Sequence, residues 1–335
     1  MAYAGQSNTT LEVEHLYIGH SLIGPIVEDL ALHIGAGEAL ALVGESGCGK
    51  SLTALSLMQL LPSGFKIMEG TVRLEGDDLL QKTERELNNI RGRHVAMLFQ
   101  QPQAMLDPTA TVAAQIAQPL RLHLGLNRRA AYDRVIELLR EVGIPEPEQH
   151  ARSYAFQLSG GMAQRVMIAA ALSGNPKLLI ADEPTTALDV TVQAQILQLM
   201  QREREERGLA VLLITHDLSV VAAFADRVAV MYAGRIVEQG TVEQVLRHPE
   251  HPYTQTLIDC SLLRQNADGT LFSYLGAASQ MFQMAAGCRY HPRCSTAKQY
   301  GLLDQCQRHE PVFAAGAAGN SVRCWAVGRT RAAPT

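Results

Sequence analysis

The chain has 335 residues, 47% of them hydrophobic and 19% charged, which is typical of a folded protein with one large domain and a smaller one. The formal net charge is −4 and no block of like charge occurs, so nucleic acid is not an expected partner. The N-terminal sequence lacks the basic and apolar regions of a signal peptide, and no run approaches the roughly 18 apolar residues of a membrane-spanning helix. We therefore expect a chain that is neither secreted nor itself transmembrane.

The N-terminal part of the chain predicts strands around one helix. Residues 11–18 alternate in polarity and residues 39–43 form an apolar run, which indicates two strands. An apolar helix is predicted at 52–61, and residues 71–74 and 94–99 predict further strands.

The middle of the chain is predicted to be helical before strands return. Helices at 111–124 and 128–142 indicate an inserted helical subdomain over about residues 103–170. Apolar runs at 178–181 and 210–215, each followed by a helix, are typical of parallel strands in a doubly wound sheet.

The C-terminal part predicts a strand pair and then a loop-rich segment. Residues 228–237 predict two closing strands around Ala233 and Gly234. After Pro249 the periodicity fades, and residues 276–319 are rich in cysteine and short of aliphatic side chains. We therefore predict a small loop-like module, with domains at residues 1–250 and 251–335.

A phosphate-binding loop lies between the predicted strand at 39–43 and the helix after it. Residues 44–51, GESGCGKS, fit G-x-x-x-x-G-K-[ST] at every fixed position. Glycines let backbone N–H groups surround phosphate oxygens, while Lys50 reaches the terminal phosphates and the Ser51 hydroxyl ligates Mg²⁺. The candidate nucleotide-binding residues are Gly44, Glu45, Ser46, Gly47, Cys48, Gly49, Lys50, Ser51 and Leu52.

Two carboxylates follow the apolar strand at 178–181. Asp182 lies where a strand end can hold Mg²⁺ through water, and Glu183 where it can polarise an attacking water. The sequence Leu-Ser-Gly-Gly-Met at 158–162 precedes them at the start of another helix.

With these motifs in this order, the chain resembles the ATP-binding subunits of ABC transporters from residue 11 to about residue 251. The resemblance implies an α/β fold: a P-loop NTPase (RecA-like) core with an antiparallel β subdomain, an inserted helical subdomain and a small Cys-rich C-terminal module. It implies ATP and Mg²⁺ as ligands, with Ser51, Gln100 and Asp182 at the Mg²⁺ ion. It also implies that the enzyme is an ATPase whose hydrolysis is coupled to transmembrane transport.

The same resemblance assigns the remaining catalytic groups. Gln100 matches the Q-loop glutamine, which contacts Mg²⁺ and the attacking water, and His216 matches the switch histidine, which contacts the γ-phosphate. Asp189, with residues 186–188, matches the D-loop. The signature motif, which binds ATP held by a partner subunit, corresponds to Leu158, Ser159, Gly160, Gly161 and Met162. Met162 replaces the commoner glutamine, and we expect activity to survive this change.

Two residues are candidates for the ring that stacks on adenine. The alternating register of the first strand favours His20, and Tyr17 is the aromatic residue in the same strand. Either ring can stack on a purine face.

Finer resemblance is to the oligopeptide, dipeptide and nickel importers. It lies in residues 44–53, in Phe-Gln-Gln-Pro at 99–102 and in His-Pro-Tyr-Thr at 251–254 before the Cys-rich tail. In this branch a second, different ATPase subunit, two transmembrane permease subunits and an extracytoplasmic binding protein are the implied partners. The implied location is the cytoplasmic face of the bacterial inner membrane, and peptide, nickel and metal-chelate cargoes stay open.

Four cysteines near the C-terminus, Cys288, Cys294, Cys306 and Cys324, resemble a tail that binds a 4Fe–4S cluster in some members of this branch. Thiolates suit Zn²⁺ equally well, and reduced thiols without any metal are the third alternative. The spacing from Cys294 to Cys306 is longer than the usual one in the family.

Soluble ABC ATPases and exporter ATPases are the two alternatives to an importer. Soluble ABC ATPases that act on DNA insert long coiled coils or zinc modules before the signature, and those that act on ribosomes carry two ATPase halves. Here only the helical subdomain separates Lys50 from Ser159, and one phosphate loop and one signature occur. An exporter ATPase has no natural use for the cysteine tail.

Overall fold

The structure is a computed structural model that describes residues 9–185, 189–262 and 286–327. Its strands are β1 (Thr9–His20), β2 (Gly24–Gly35), β3 (Ala39–Val43), β4 (Phe65–Leu74), β5 (Asp77–Asp78), β6 (Val95–Leu98), β7 (Leu178–Asp182), β8 (Ala210–Ile214), β9 (Arg227–Tyr232), β10 (Arg235–Thr241), β11 (Ala314–Ala315) and β12 (Ser321–Val322). Its helices are α1 (Lys50–Leu57), α2 (Glu84–Ile90), α3 (Pro102–Met105), α4 (Val112–His123), α5 (Arg128–Glu141), α6 (Pro147–His150), α7 (Gly160–Ser173), α8 (Val190–Arg207), α9 (Leu218–Phe224), α10 (Val242–Arg247), α11 (Pro252–Ser261), α12 (Ser295–Gln299) and α13 (Leu303–Arg308).

The described chain divides into two compact units. Unit 1 comprises the described residues of 9–12, 33–39 and 72–214, and unit 2 comprises those of 13–32, 40–71 and 215–327.

Unit 1 combines three parallel strands with a group of helices. β6 pairs with β7 and β7 with β8, with Val95 opposite Leu178 and Leu178 opposite Ala210. Every residue of these strands is buried, which explains their aliphatic sequences. Between β6 and β7, helices α4, α5 and α7 pack against one another. These helices occupy the part of the chain where the sequence predicts a helical subdomain.

Unit 2 contains a sheet with the strand order β11-β12-β10-β9-β3. β3 runs parallel to β9, whereas β9 and β10 form an antiparallel hairpin. The hairpin turn is Ala233-Gly234, where φ is 44° and 84°. Positive φ at both central residues is the geometry that matches the twist of a two-residue hairpin. The unit also holds β1 between β2 and β4.

The core of unit 2 includes side chains from the C-terminal segment. Tyr232 and Tyr253 are fully buried, and Tyr290, Cys294 and Cys306 lie in the same buried cluster. β12 also pairs with β10, with Val322 opposite Glu238. The described C-terminal residues therefore pack into the core of unit 2.

The structure confirms the predicted strands in position and adds elements that the sequence patterns did not predict. β2 and α11 were not predicted, and α11 forms in the region after Pro249 where the sequence periodicity fades. Short helices and the two-residue strand β11 also interrupt the segment at 286–319 that was predicted to be loop. The rest of that prediction, residues 276–285, lies outside the described residues, as do D-loop residues 186–188.

No helix of the described ranges is both long enough and apolar enough to cross a bilayer.

His251 is expected to make the stability of unit 2 depend on pH. The side chain is 1% exposed and caps α11, where its Nδ1 accepts a hydrogen bond from the Tyr253 N–H at 3.0 Å. Burial lowers the pKa of His251 to about 3, well below the ordinary 6.5, because the charged ring would lose its hydration. Because the unfolded chain binds the proton at a higher pH than the folded chain does, acid shifts the equilibrium towards the unfolded chain.

We therefore expect the free energy of unfolding to fall by up to about 1.4 kcal/mol per pH unit from pH 6.5 down towards pH 3. Urea titrations across this window measure the effect. His251→Asn keeps a capping acceptor and should lose this part of the pH dependence. An unchanged slope in the variant would contradict the assignment.

Candidate functional site

The phosphate loop of unit 2 joins the fully buried strand β3 to the start of helix α1. β3 ends at Val43, and α1 begins at Lys50 after Gly49, whose φ of 112° favours glycine. Gly44 is required for a different reason, since a Cβ there would lie 2.2 Å from the carbonyl oxygen of Met231 on β9. The predicted loop therefore has the strand, turn and helix order that its motif needs.

Hydrogen bonds from neighbouring groups hold the loop in place. Lys50 Nζ donates to the carbonyl oxygens of Gly44 and Glu45 at 2.7 and 2.9 Å. The Gly234 N–H, in the β9–β10 turn, donates to the Cys48 carbonyl at 2.8 Å. Ser46, Gly47 and Ser51 are exposed at the open side of the loop, whereas Cys48 is buried. Burial raises the pKa of the Cys48 thiol, which keeps it protonated and inert.

Two predicted catalytic groups of unit 1 are in contact. Gln100 Nε2 donates to Glu183 Oε2 at 3.0 Å, although the residues are 83 positions apart in the sequence. Gln100 follows β6 and Glu183 follows β7, and these strands are parallel neighbours. Their carboxyl ends therefore lie at one edge of the sheet, which is where α/β proteins place their ligands.

Glu183 has a strained backbone. Its φ is 49°, in the left-handed region that residues other than glycine rarely adopt, and its N–H donates to the Ile214 carbonyl at 2.8 Å. Strain of this kind concentrates at functional sites, where surrounding contacts hold a side chain in a required direction. Asp182, the preceding residue, is 6% exposed at the end of β7.

The predicted signature motif forms the beginning of α7. Leu158 is buried, and Ser159 caps the helix by accepting the Met162 N–H at 3.3 Å. A Cβ added at Gly160 would meet no atom within 4 Å. The helix start is thus open on this side and presents backbone N–H groups, the arrangement that favours an anion. Asp189 caps α8 in the same way, accepting the Val192 N–H at 2.9 Å.

The sequence analysis missed Gln164, a buried polar residue of α7. Its Nε2 donates to the Pro184 carbonyl at 2.6 Å, directly after Glu183. This bond ties α7, the helix of the predicted signature motif, to the turn that carries Glu183, the predicted catalytic carboxylate. The position of Gln164, two residues after the signature, could have marked it as a site residue. Nothing in the sequence, however, indicates its bond to Pro184, 20 residues away.

The remaining predicted ligands lie in unit 2. His216 is exposed directly after β8, where the next residue, Asp217, caps α9 by accepting the Ser219 N–H at 2.8 Å. His20 is half-buried, with its ring 4.8 Å from that of Phe65 at an angle of 64°. Tyr17 is also half-buried, and burial raises its pKa. Both candidate adenine-stacking rings thus stay candidates.

The four C-terminal cysteines converge in unit 2. Burial is the first cause that raises the pKa of Cys288 and Cys324 to about 12, and the other thiols nearby raise it further. The pKa values of Cys294 and Cys306 are raised by burial as well. Within the described residues, however, no three Cys, His, Asp or Glu side chains are arranged to hold a single metal ion.

Comparisons with known proteins identify the family. Residues 27–186 match the family model of ABC transporters, and residues 237–300 match the oligopeptide/dipeptide transporter C-terminal region. The chain is 46% identical to the oligopeptide transport ATP-binding protein AppD of Bacillus subtilis over 302 residues, 90% of each protein. The chain belongs to the ATP-binding subunits of ABC transporters.

Further relatives agree with this family. The dipeptide transport ATP-binding protein DppD of Haemophilus influenzae is 44% identical over 287 residues, 85% of each chain. Among solved structures, a dimeric post-hydrolysis state of the ATP-binding cassette MJ0796 bound to ADP and Pi matches with a TM-score of 0.63 and 28% identity, over 69% of this chain and 98% of that one. The fold is therefore the mixed α/β fold of an ABC cassette. The chain is an ABC ATPase, an enzyme that uses ATP with Mg²⁺ and couples its hydrolysis to transport.

Glu183→Gln is expected to separate ATP binding from hydrolysis. The amide keeps an oxygen that can accept from Gln100, but it cannot act as a base, so turnover should fall by about 10²–10⁴-fold while ATP stays bound. Lys50→Ala should instead weaken ATP binding, because it removes the cation of the phosphate loop. Equilibrium binding and phosphate release measure the two effects. Wild-type turnover in Glu183→Gln would refute the assigned role.

Proposed function

We propose that this chain powers the import of peptides through an ABC transporter at the cytoplasmic face of the bacterial inner membrane. The hydrogen bond between Gln100 and Glu183 carries the proposal, because Phe99, the residue before Gln100, lines a large groove on unit 1. A partner bound in that groove could act on the catalytic carboxylate through a single residue.

The proposed ATP site uses the predicted residues in distinct roles. The loop at 44–52 holds the phosphates, His216 contacts the γ-phosphate, and His20 or Tyr17 stacks on adenine. Glu183 accepts a proton from the attacking water. Ser51, Gln100 and Asp182 each offer an oxygen ligand of the hard kind that suits Mg²⁺, and the bound ion would neutralise charge on the transferred phosphoryl group.

A second ATPase subunit completes the proposed site. The open start of α7 offers residues 158–162 to ATP on a partner, by the same helix-end electrostatics as the phosphate loop. The dimeric state of the matched MJ0796 cassette supports such pairing. We propose that the partner is a different subunit with the same motifs, as in the importer branch that the chain resembles.

The groove on unit 1 is the proposed docking place for a permease. It has a volume of about 1590 Å³ and is lined by residues of α4, α5 and α7 and by Phe99, which precedes Gln100. Leu122 and Met105 on its wall are 69% and 54% exposed, and Arg121 and Arg128 add positive charge. An apolar helix with acidic residues is the complementary partner.

Gln100→Ala is expected to impair coupling more than catalysis. In vesicles that hold this chain, a second ATPase and two permeases, transport should fall by about 10-fold or more, whereas basal ATP hydrolysis should fall much less. Gln149→Ala, on the exposed helix α6, is the matched control and should change neither rate. Equal loss of both rates would remove the coupling role, and failure of the four subunits to assemble would refute the proposed partners.

Peptide is the proposed cargo because the matched relatives carry oligopeptide and dipeptide in their names. The extracytoplasmic binding protein and the permeases select the cargo in such a transporter. Uptake of nickel or a metal chelate stays a prediction from the sequence resemblance alone.

We further propose that Cys288, Cys294, Cys306 and Cys324 hold a 4Fe–4S cluster. Their mutual effect on pKa supports a shared location. Around one tetrahedral Zn²⁺, with bonds of about 2.3 Å, four sulfurs must lie close together, and the described residues contain no such single-ion arrangement. The proposal of a cluster rests on the four cysteine donors and on the resemblance of this tail to tails that bind one. The cluster's role would be structural, because every proposed catalytic residue precedes residue 217.

Anaerobic purification is expected to give a brown protein with visible absorption. Cys→Ser variants at the four positions should lose the colour, while Cys260→Ser on α11, outside the set, should keep it. A colourless preparation with one zinc per chain would favour the zinc alternative. A preparation without metal would show that the four cysteines are reduced thiols that bind no metal.

A further inference from the structure

The phosphate loop contains a negative side chain, which is unfavourable in a loop that binds anions. Glu45 is the second residue of the loop, and its side chain is only 12% exposed. A partly buried carboxylate beside bound phosphates would repel them, and the low local dielectric would strengthen this repulsion. The loop can tolerate Glu45 only if a positive charge compensates it.

Arg293 supplies this charge from the C-terminal segment. Its Nη1 lies 3.1 Å from Glu45 Oε1 and 3.3 Å from Oε2, and the Arg293 side chain is 6% exposed. The same Nη1 donates to the Tyr232 hydroxyl at 3.0 Å, and the guanidinium carbon lies 5.6 Å from the centre of the Tyr232 ring. Arg293 is therefore fixed in position by a charge and by an aromatic ring.

A second contact fixes the backbone of Glu45. Its N–H donates to the Tyr253 hydroxyl at 2.9 Å, and Tyr253 is fully buried. Tyr290 packs against the rings of Tyr232 and Tyr253, at 5.1 and 5.6 Å between centres. Tyr290 and Arg293 belong to one short turn in the segment 288–294, which a cysteine bounds at each end. This segment thus supports both the side chain and the backbone of Glu45.

We propose that Arg293 is a positioning residue for ATP binding, which compensates the charge of Glu45 and holds its carboxylate away from the phosphates. The inference rests on the proposed assignment of residues 44–52 to the nucleotide. It gives the C-terminal segment a role in the energetics of ATP binding, since the compensating charge lies 248 residues from the loop in sequence.

The test is a double-mutant cycle on the full chain, with ATP and ADP affinities measured by calorimetry. Arg293→Gln should weaken ATP binding about 10-fold, the effect of losing one charge-assisted hydrogen bond, and ADP binding less, because ADP carries less negative charge. Glu45→Gln removes the charge that needs compensation. The double variant should therefore bind ATP within about 3-fold of the wild type.

Two controls separate this inference from the site assignment and from a folding defect. Arg308, on α13 in the same C-terminal part of the chain, has a side chain that is 71% exposed, and Arg308→Gln should leave ATP affinity unchanged. Lys50→Ala should weaken ATP binding, and if it does not, the proposed nucleotide site itself is wrong. If Lys50→Ala behaves as expected, wild-type ATP affinity in Arg293→Gln would overturn the role of Arg293. The role would also be overturned if Arg293→Gln caused the same loss of affinity with and without Glu45→Gln, since the effect would then come from damaged folding.

Discussion

Anion binding by backbone amides requires a loop that keeps one shape, and most of unit 2 serves this requirement. A flexible loop would lose its affinity for phosphate to the entropy of ordering it. Here β3 and β9 fix one end, and the Gly234 N–H fixes the Cys48 carbonyl. Tyr253, from a helix about 200 residues downstream, holds the amide of Glu45. The loop is local in sequence, but its rigidity comes from residues far along the chain.

In unit 1, hydrogen bonds from other elements help to fix the turn that carries Glu183. Glu183, whose backbone is strained, accepts a hydrogen bond from Gln100. The carbonyl of the next residue, Pro184, accepts one from Gln164 on α7. Movement of Gln100 or of α7 would therefore alter the position of the Glu183 carboxylate. The turn that carries Glu183 is thus joined by hydrogen bonds to both Gln100 and α7, which is a physical basis for coupling between these parts of unit 1.

Local chemistry explains which features the sequence could predict. The phosphate loop and the strands β3, β7 and β8 are short patterns whose residues determine their own conformation, and the family resemblance supplied Gln100 and His216. The pairing of Arg293 with Glu45 and the bond of Gln164 to Pro184 depend on tertiary packing, and neither pair has a local pattern. α11 was missed because its buried side chains are partly polar, and its cap is a histidine, which is an uncommon cap.

The discontinuity of unit 2 has a consequence for biosynthesis. Its strands β1 to β3 leave the ribosome early, but β9, β10 and β12, which complete the sheet that contains β3, follow only after the whole of residues 72–214. Pairings so distant in sequence form slowly, and incomplete sheets expose unpaired backbone edges. The edge of β3 that pairs with β9 therefore stays without its partner strand until the whole of residues 72–214 has been synthesised, so this part of the sheet is completed late.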